Sequence, residues 1–549
     1  MTAVINVPAK TDPRIPGGVH GTVKIDAMRL RRALKKAITG EVRFDPASLA
    51  MYANDASNFR QVPIGVVVPK NLDDVVATHR VCADFGAPIV NRGGGTSLSG
   101  ETVNVAVVID NSKYLTSIGE LDVPNGRVTT ETGVINEQLN VHTGKLGLIF
   151  GPDPSSHSRC TIGGNLGNNS CGVHSVQSQL YGPGPRTSDN TYAMEVVTYR
   201  GDRFWVGVNE EEHLDEIIAA GGPKGEVYRQ LRDLRDRYID DIRAGFPSVD
   251  ELPRRVSGYN LDELLPERGF NVARALVGTE STCVTVLQAT LLLTPALLDR
   301  TLVTVYYRTI AEAGEHVVEI IDRWKPIGLE AIDHRLIYDQ QAKQMHVRDI
   351  GELPHNEEEK GAWLMVQFGA DRPQDAERRA HEFMEWLEKG KGYASDRMVL
   401  MTSRQDGGNS EDLWELREAG LAATAFPPDG LDHWPGWEDS AVPPSKIGRY
   451  LADLEELYGR HGLTGAMYGH IGQGCVHSRI SFDLRTHDGL EQYRSFMEDA
   501  ADLCVSYGGS VSGEHGDGQQ RAELLVKQYG ERLIDAMREF KRIWDPDWK

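Results

Sequence analysis

Two short stretches near the end of the chain carry ionisable residues set among glycines. His470 and His477 lie in Tyr468-Gly-His-Ile-Gly-Gln-Gly-Cys-Val-His477, and Glu514 and His515 in Gly513-Glu-His-Gly-Asp-Gly518. Two imidazoles and a carboxylate make a three-ligand set for zinc with one position left open. Such an ion activates water or polarises a substrate oxygen. The glycines exclude a helix across 468–477, and an odd separation puts the two histidines on opposite faces of a regular strand. Convergence therefore demands a turn or bulge at Gly472–Gly474. Taken one at a time, each residue is better explained as a polar side chain satisfied on a turn.

A second kind of chemistry is written in backbone. Arg92-Gly-Gly-Gly-Thr-Ser-Leu-Ser-Gly100 is followed by a β-type run, Val103 to Asp110, so no helix N-terminus stands behind it as in a dinucleotide fingerprint. Its consecutive N–H groups form either an anion nest or a tight hairpin. Gly151-Pro-Asp-Pro-Ser-Ser156 and Thr161-Ile-Gly-Gly-Asn-Leu-Gly-Asn-Asn-Ser-Cys-Gly172 read as a long ribbon almost free of side chains. Long loops of this kind are functional or disordered, and Ile162 and Leu166 argue against disorder. Two such loops suit an extended cofactor laid along the backbone.

These groups need a scaffold. Met28 to Ala37 reads as a helix, and so does Asn71 to Phe85, with Asn71 as N-cap and Gly86 as terminator. Strand patterns run over Ile64–Val68, Pro88–Val90, Val128–Thr132, Met194–Tyr199, Arg274–Gly278 and Val284–Gln288, with a helix at Ile135–Lys145. Beyond Thr294-Pro295, helix patterns (Leu297–Ala313, Gln374–Lys389, Ser445–His461, Leu490–Tyr507) alternate with strand patterns (Trp363–Phe368, Met398–Thr402, Gly465–Tyr468, Val476–Phe482). This predicts an α+β chain: an N-terminal helical segment over 1–43, a cofactor domain over 44–293 with a helical insertion at about 209–266, and an α+β cap over 294–549 with an antiparallel sheet.

Composition removes whole classes. The 549 residues carry a net charge of −21, which disfavours nucleic acid or anionic membrane as the main partner but leaves room for a small anion bound by local cations. No pair among Cys82, Cys160, Cys171, Cys283, Cys475 and Cys504 has CxxC spacing, so no zinc ribbon or iron–sulfur cluster is readable. Scattered thiols fit a reducing cytoplasm. Met1–Pro16 has no secretory pattern, and the longest apolar run, about Ala289–Leu298, is too short to span a bilayer. Peripheral membrane contact and oligomerisation stay open.

With both loops, the Pro-Asp-Pro-Ser-Ser stretch, Tyr181-Gly182, Gly278-Thr-Glu280 and the histidine segments in view, the chain resembles the vanillyl-alcohol oxidase-type flavoproteins with a PCMH-type FAD domain. Within them it is similar to the D-lactate, glycolate and D-2-hydroxyglutarate dehydrogenase branch. The resemblance implies a two-subdomain FAD-binding domain and a cap of the FAD-linked oxidase C-terminal type. It implies FAD contacts from Arg92, Gly93, Gly94, Gly95, Thr96, Ser97, Pro152, Asp153, Ser156, Thr161, Gly163, Gly164, Asn165, Asn168, Gly172, Tyr181 and Glu280. The first loop has no histidine for a covalent link, so a non-covalent flavin is expected.

The histidine segment is similar to the branch's Gly-His-x-Gly-Asp-Gly-Asn-x-His signature, which implies a divalent metal, zinc, on His470, His477 and Glu514. Gln473 and Cys475 stand where Asp and Asn are usual. Neighbouring His515 is the expected general base and Arg417 the expected clamp for a substrate carboxylate. Without the resemblance, Glu415-Leu-Arg-Glu418 is only an exposed helix face. Trp437 falls near the position of a distal carboxylate-binding Lys, so no second carboxylate contact is expected there. Arg254-Arg-Val-Ser-Gly-Tyr-Asn-Leu-Asp262 resembles a larger bacterial subgroup whose flavin portion continues into an iron–sulfur module; after Trp544-Asp-Pro-Asp-Trp-Lys549, relatives usually run on into Asn-Pro-Gly-Lys. The expected activity is oxidation of a D-2-hydroxy acid, with an iron–sulfur module, a quinone or an electron-transfer flavoprotein as acceptor. A zinc hydrolase and a flavin electron carrier without its own substrate remain the other readings.

Overall fold

The computed structural model describes residues 4–8, 22–207, 210–355, 360–402, 408–428 and 430–549; the start of the N-terminal segment, including most of Met1–Pro16, lies outside them. Two small sheets build the first domain. In one, Gly65–Val68 and Ile89–Arg92 lie parallel to Val107–Asp110, with Glu41–Arg43 antiparallel at the edge. Helix Leu72–Phe85 makes the crossover, starting where the Asn71 side chain accepts from Asp74 N and stopping at Gly86 with φ +62°. The other sheet is antiparallel, in the order Arg203–Val206, Thr191–Val197, Thr285–Leu292, Arg127–Glu131.

The cap is one seven-stranded antiparallel sheet, ordered Met398–Met401, Asp299–Tyr307, Ala362–Ala370, Gly328–Asp333, Gly465–Gly469, Cys475–Ile480, Ser440–Ala441. Among the described residues no helix is long and apolar enough to cross a membrane. All six cysteines are buried free thiols.

Three segments differ from the sequence reading. Thr161–Gly172 is no ribbon: Ile162–Asn168 is helical, with the Thr161 side chain accepting from Gly164 N. Ile162 and Leu166, one turn apart and both buried, hold it against its glycines. Arg274–Gly278 is not a strand; Val272–Leu276 forms a short helix capped by Asn271. Leu297–Ala313 is not one helix either. Strand Asp299–Tyr307, rich in Thr, Val and Tyr, precedes a single turn at Ile310–Gly314, because a buried central place in the sheet favours β-branched side chains.

The insertion appears as helices Glu210–Ala220 and Gly222–Gly245 followed by irregular chain. Its Tyr228, Leu231, Leu234, Tyr238 and Ile242 share one core with Tyr529, Leu533, Ala536, Met537 and Phe540 of the final helix, Leu525–Trp544. The end of the chain thus leaves the cap and returns to the core of the first domain.

Candidate active site

Strands Gly465–Gly469 and Cys475–Ile480 form a hairpin whose reversal contains a 3-10 turn at Ile471–Gln473 and Gly474 at φ +75°. A Cβ on Gly474 would lie 1.9 Å from the Val442 carbonyl oxygen, so no other residue fits. The reversal puts His470 in the turn and His477 on the returning strand. Their rings meet edge to face with centroids 5.0 Å apart.

Glu514 joins them. Its Oε1 lies 3.3 Å from His470 Nε2, 3.1 Å from His477 Nε2 and 3.3 Å from His515 Nε2. On the far side of each ring, His470 Nδ1 faces Glu330 Oε1 at 2.7 Å and His477 Nδ1 faces the Glu438 carbonyl oxygen at 3.1 Å. Protons placed on those Nδ1 atoms leave both Nε2 lone pairs aimed at a carboxylate oxygen. Lone pairs and an anion repel unless a positive charge lies between them, so the donor set fits a divalent cation. Asp439, Cys475 and His477 also cluster. There, however, the Cys475 thiol already donates to Asp439 Oδ1 at 3.3 Å, and His477 Nδ1 faces the Glu438 carbonyl oxygen.

The charges follow from these contacts. Burial alone would raise the Glu514 carboxyl, but His470, His477 and His515 outweigh it and hold it well below the usual carboxylate range. Glu330, buried between His470 and Arg417, is likewise brought down to about 2. His515 goes the other way: burial opposes its charge, yet Asp439, Glu438 and Glu514 raise it to about 10. Burial lowers His477.

Arg417 is not on an exposed face. It is 1% exposed on helix Ser410–Glu418; its Nε donates to Glu330 Oε2 at 2.8 Å, and its Nη2 lies 2.7 Å from the same oxygen. Glu330 therefore ties Arg417, the expected carboxylate clamp, to the candidate metal ligand His470. Arg254 holds the other oxygen of Glu514 and also donates to Gln473 Oε1 at 2.9 Å. Trp437 points away, into the cap core, where its Nε1 donates to the Tyr450 hydroxyl.

Glu330, Glu438, Asp439 and Arg254 were not assigned roles from sequence. The signal for Glu330 was there, as an acidic residue inside the buried strand pattern Gly-Leu-Glu-Ala-Ile-Asp.

The cluster opens on a cleft that has Arg417, Glu438, Tyr468, His477, Glu514 and His515 on one wall. Gly93, Gly94, Gly95, Thr96, Ser97, Ser156, Thr161, Gly164, Asn165 and Asn168 line the other. It continues into a narrower arm bounded by Arg92, Gly163 and Glu280. Pro152, Asp153, Gly172 and Tyr181, expected with them, do not line either part. The Pro152 carbonyl accepts from Asn136, Asp153 is bonded to His174, the Gly172 carbonyl accepts from Arg254, and the Tyr181 hydroxyl donates to Lys325 O.

Cβ atoms on Gly93 and Gly94 would lie 2.1 Å from Thr161 Oγ1 and 2.4 Å from Arg159 O, so these glycines let the two loops abut. Among the described residues, Arg92 Nη1, Glu101 Oε2, Asn111 Oδ1, Thr132 Oγ1 and Asn165 Nδ2 are buried without partners, and their residues line the cleft. Buried polar atoms are rarely left this way. An elongated, polar, phosphate-bearing cofactor fits them.

Comparison with known proteins agrees. Residues 63–207 match the family model described as FAD binding domain, and 298–549 the one described as FAD linked oxidases, C-terminal domain. A D-2-hydroxyglutarate dehydrogenase of Pseudomonas putida is 28% identical over 516 residues, 92% of this chain and 49% of that protein. The chain thus spans about half the length of that relative. The glycolate oxidase subunit GlcD of Bacillus subtilis is 27% identical, with 93% of each chain covered. Among solved structures, substrate-bound p-cresol methylhydroxylase superposes with a TM-score of 0.64 at 13% identity, covering 99% of this chain and 97% of that one, a likeness of fold.

Proposed function

Because this chain joins an FAD-binding domain to an FAD-linked oxidase C-terminal domain, we propose that it is the flavin unit of a dehydrogenase oxidising a D-2-hydroxy acid, D-2-hydroxyglutarate or D-lactate, to the 2-oxo acid. The observation that carries the reading is the meeting of His470, His477 and Glu514, with His477 and Glu514 on the wall of the glycine-lined cleft beside Arg417. FAD, held non-covalently along the glycine loops, would supply the hydride-acceptor chemistry. His470, His477 and Glu514 would hold a divalent metal, zinc, which would supply Lewis acidity toward the hydroxyl.

The chain's own residues do the rest. Arg417 orients the carboxylate with the guanidinium edge not engaged by Glu330. His515 receives the hydroxyl proton at Nε2, and Glu438 and Asp439 stabilise the imidazolium that results. Those carboxylates favour the charged ring; a divalent cation held beside Glu514 would oppose them and favour the neutral imidazole that a base requires. A zinc hydrolase would leave Asn165 Nδ2 and Thr132 Oγ1 in the cleft with nothing to bind.

The test is reconstitution of the purified chain with FAD and zinc. A panel of D- and L-2-hydroxy acids is then assayed with an artificial electron acceptor, beside Arg417→Ala. Turnover of D-acids, lost on replacing Arg417, is the expected outcome. Absence of flavin absorption bands after reconstitution would end the proposal.

A further inference from the structure

Among the described residues, the buried arginines have partners, with one informative exception. Arg186 pairs with Asp189, Arg254 with Glu514, Arg255 with Asp262, Arg417 with Glu330 and Arg521 with Glu438. Arg479 is only 7% exposed, and among the described residues no group takes a hydrogen bond or ion pair from it; its Nε is wholly buried and orphaned. A guanidinium cannot shed its proton to escape this, and an uncompensated interior charge is costly.

Its position says what would complete it. Arg479 lies two residues beyond His477 on strand Cys475–Ile480, so both side chains leave the same face of the sheet. Across the hairpin, His477 is paired with Tyr468 and Arg479 with Ala466. Tyr468 and His477 are cleft residues, which sets Arg479 just beyond the cleft wall on the cap side. Alternate residues along a strand stand about 6.6 Å apart. That is a step a two-methylene chain ending in a carboxylate can cover. Trp437, whose ring is in the cap core, makes no such contact.

Resting on the dehydrogenase reading above, we propose that Arg479 receives the distal carboxylate of a dicarboxylic 2-hydroxy acid whose first carboxylate is held by Arg417. The substrate class is then the five-carbon diacid, D-2-hydroxyglutarate, in preference to D-lactate. The ligand brings the counter-charge that the fold withholds.

The experiment uses the full chain loaded with FAD and zinc. Arg479→Met keeps the apolar stem and removes the charge. The ratio of kcat/KM for D-2-hydroxyglutarate to that for D-lactate should fall at least about thirtyfold, chiefly through KM, and Arg479→Lys should recover part of it. Ala466→Asp, which places a carboxylate opposite Arg479, should lower the same ratio by supplying an internal partner, and it serves if Arg479→Met does not fold. Binding of 2-oxoglutarate and of pyruvate, followed by tryptophan fluorescence, should show the same loss of preference. An unchanged ratio in the folded variants, or a wild-type preference for D-lactate, overturns the assignment. If no 2-hydroxy acid reduces the wild-type flavin, the dehydrogenase reading fails instead, and the two binding titrations alone then judge Arg479.

Discussion

Arg254 donates from Nη1 to Glu514 Oε2 across 2.8 Å, with both side chains buried. The contact joins the first domain to the Gly513–Gly518 loop of the cap through the Glu514 oxygen that the histidines do not face. It neutralises one carboxylate oxygen and leaves the other to the histidines. Arg254 also donates to the Gly172 carbonyl, so one side chain aligns the end of the Thr161–Gly172 segment with the candidate metal ligands.

Replacing Arg254 with Met therefore strands a buried carboxylate. Loss of such a partner costs about 3–5 kcal/mol, to be read as a lowered urea midpoint. Metal content should fall with it, since Glu514 loses its orientation. A variant with wild-type stability and full metal occupancy would contradict this role.

The candidate ligands make a separable prediction. His470→Ala or His477→Ala should abolish binding of one zinc per chain, measured by elemental analysis, and cut turnover at least about 100-fold. The flavin absorption bands should persist, because neither imidazole belongs to the glycine-loop wall. Loss of the flavin together with the metal would show that the two sites are not independent.

Asp439 acts one layer out. Its Oδ2 collects four donors from Ser512 to His515. Asp439→Asn must turn an amide hydrogen toward donors or give up most of these bonds. The expected result is a 10- to 100-fold loss of metal affinity, of the order seen for outer-shell partners, in a chain that still folds. Competition with a chromophoric chelator measures it.

Away from the site, Glu210 offers a test of linkage. Burial raises its carboxyl to about 7, against hydrogen bonds from Tyr228 and Gly207 N that act to lower it. A folded value above the unfolded one means the native chain holds the proton longer, so this group costs stability as pH rises from about 4.5 to 7. The slope is at most about 1.4 kcal/mol per pH unit. Glu210→Gln should remove that component, so the difference between variant and wild-type unfolding free energies should grow between pH 5 and pH 8. A difference that does not change with pH would show that Glu210 ionises normally.

Local patterns announced much of this molecule. Asn71 and Gly86 bound their helix as their capping chemistry requires. Gly472–Gly474 supply the reversal that the spacing of His470 and His477 demanded. Glycine runs, caps and ligand types are legible because each acts within a few residues of itself. The segments misread, Ile162–Asn168 and Asp299–Tyr307, are those whose environment overrode composition: two buried side chains hold a glycine-rich helix, and a central sheet position makes a strand.

What no local pattern could supply is the pairing of charges. Glu330 reaches His470 from 140 residues away and Arg254 reaches Glu514 from 260. Arg417 looked like a solvated helix residue until the sheet brought Glu330 against it, and Glu438, the carboxylate near Arg479, is paired with Arg521 instead. An ion pair depends on distance in space and on exclusion of water, and both are properties of the folded chain.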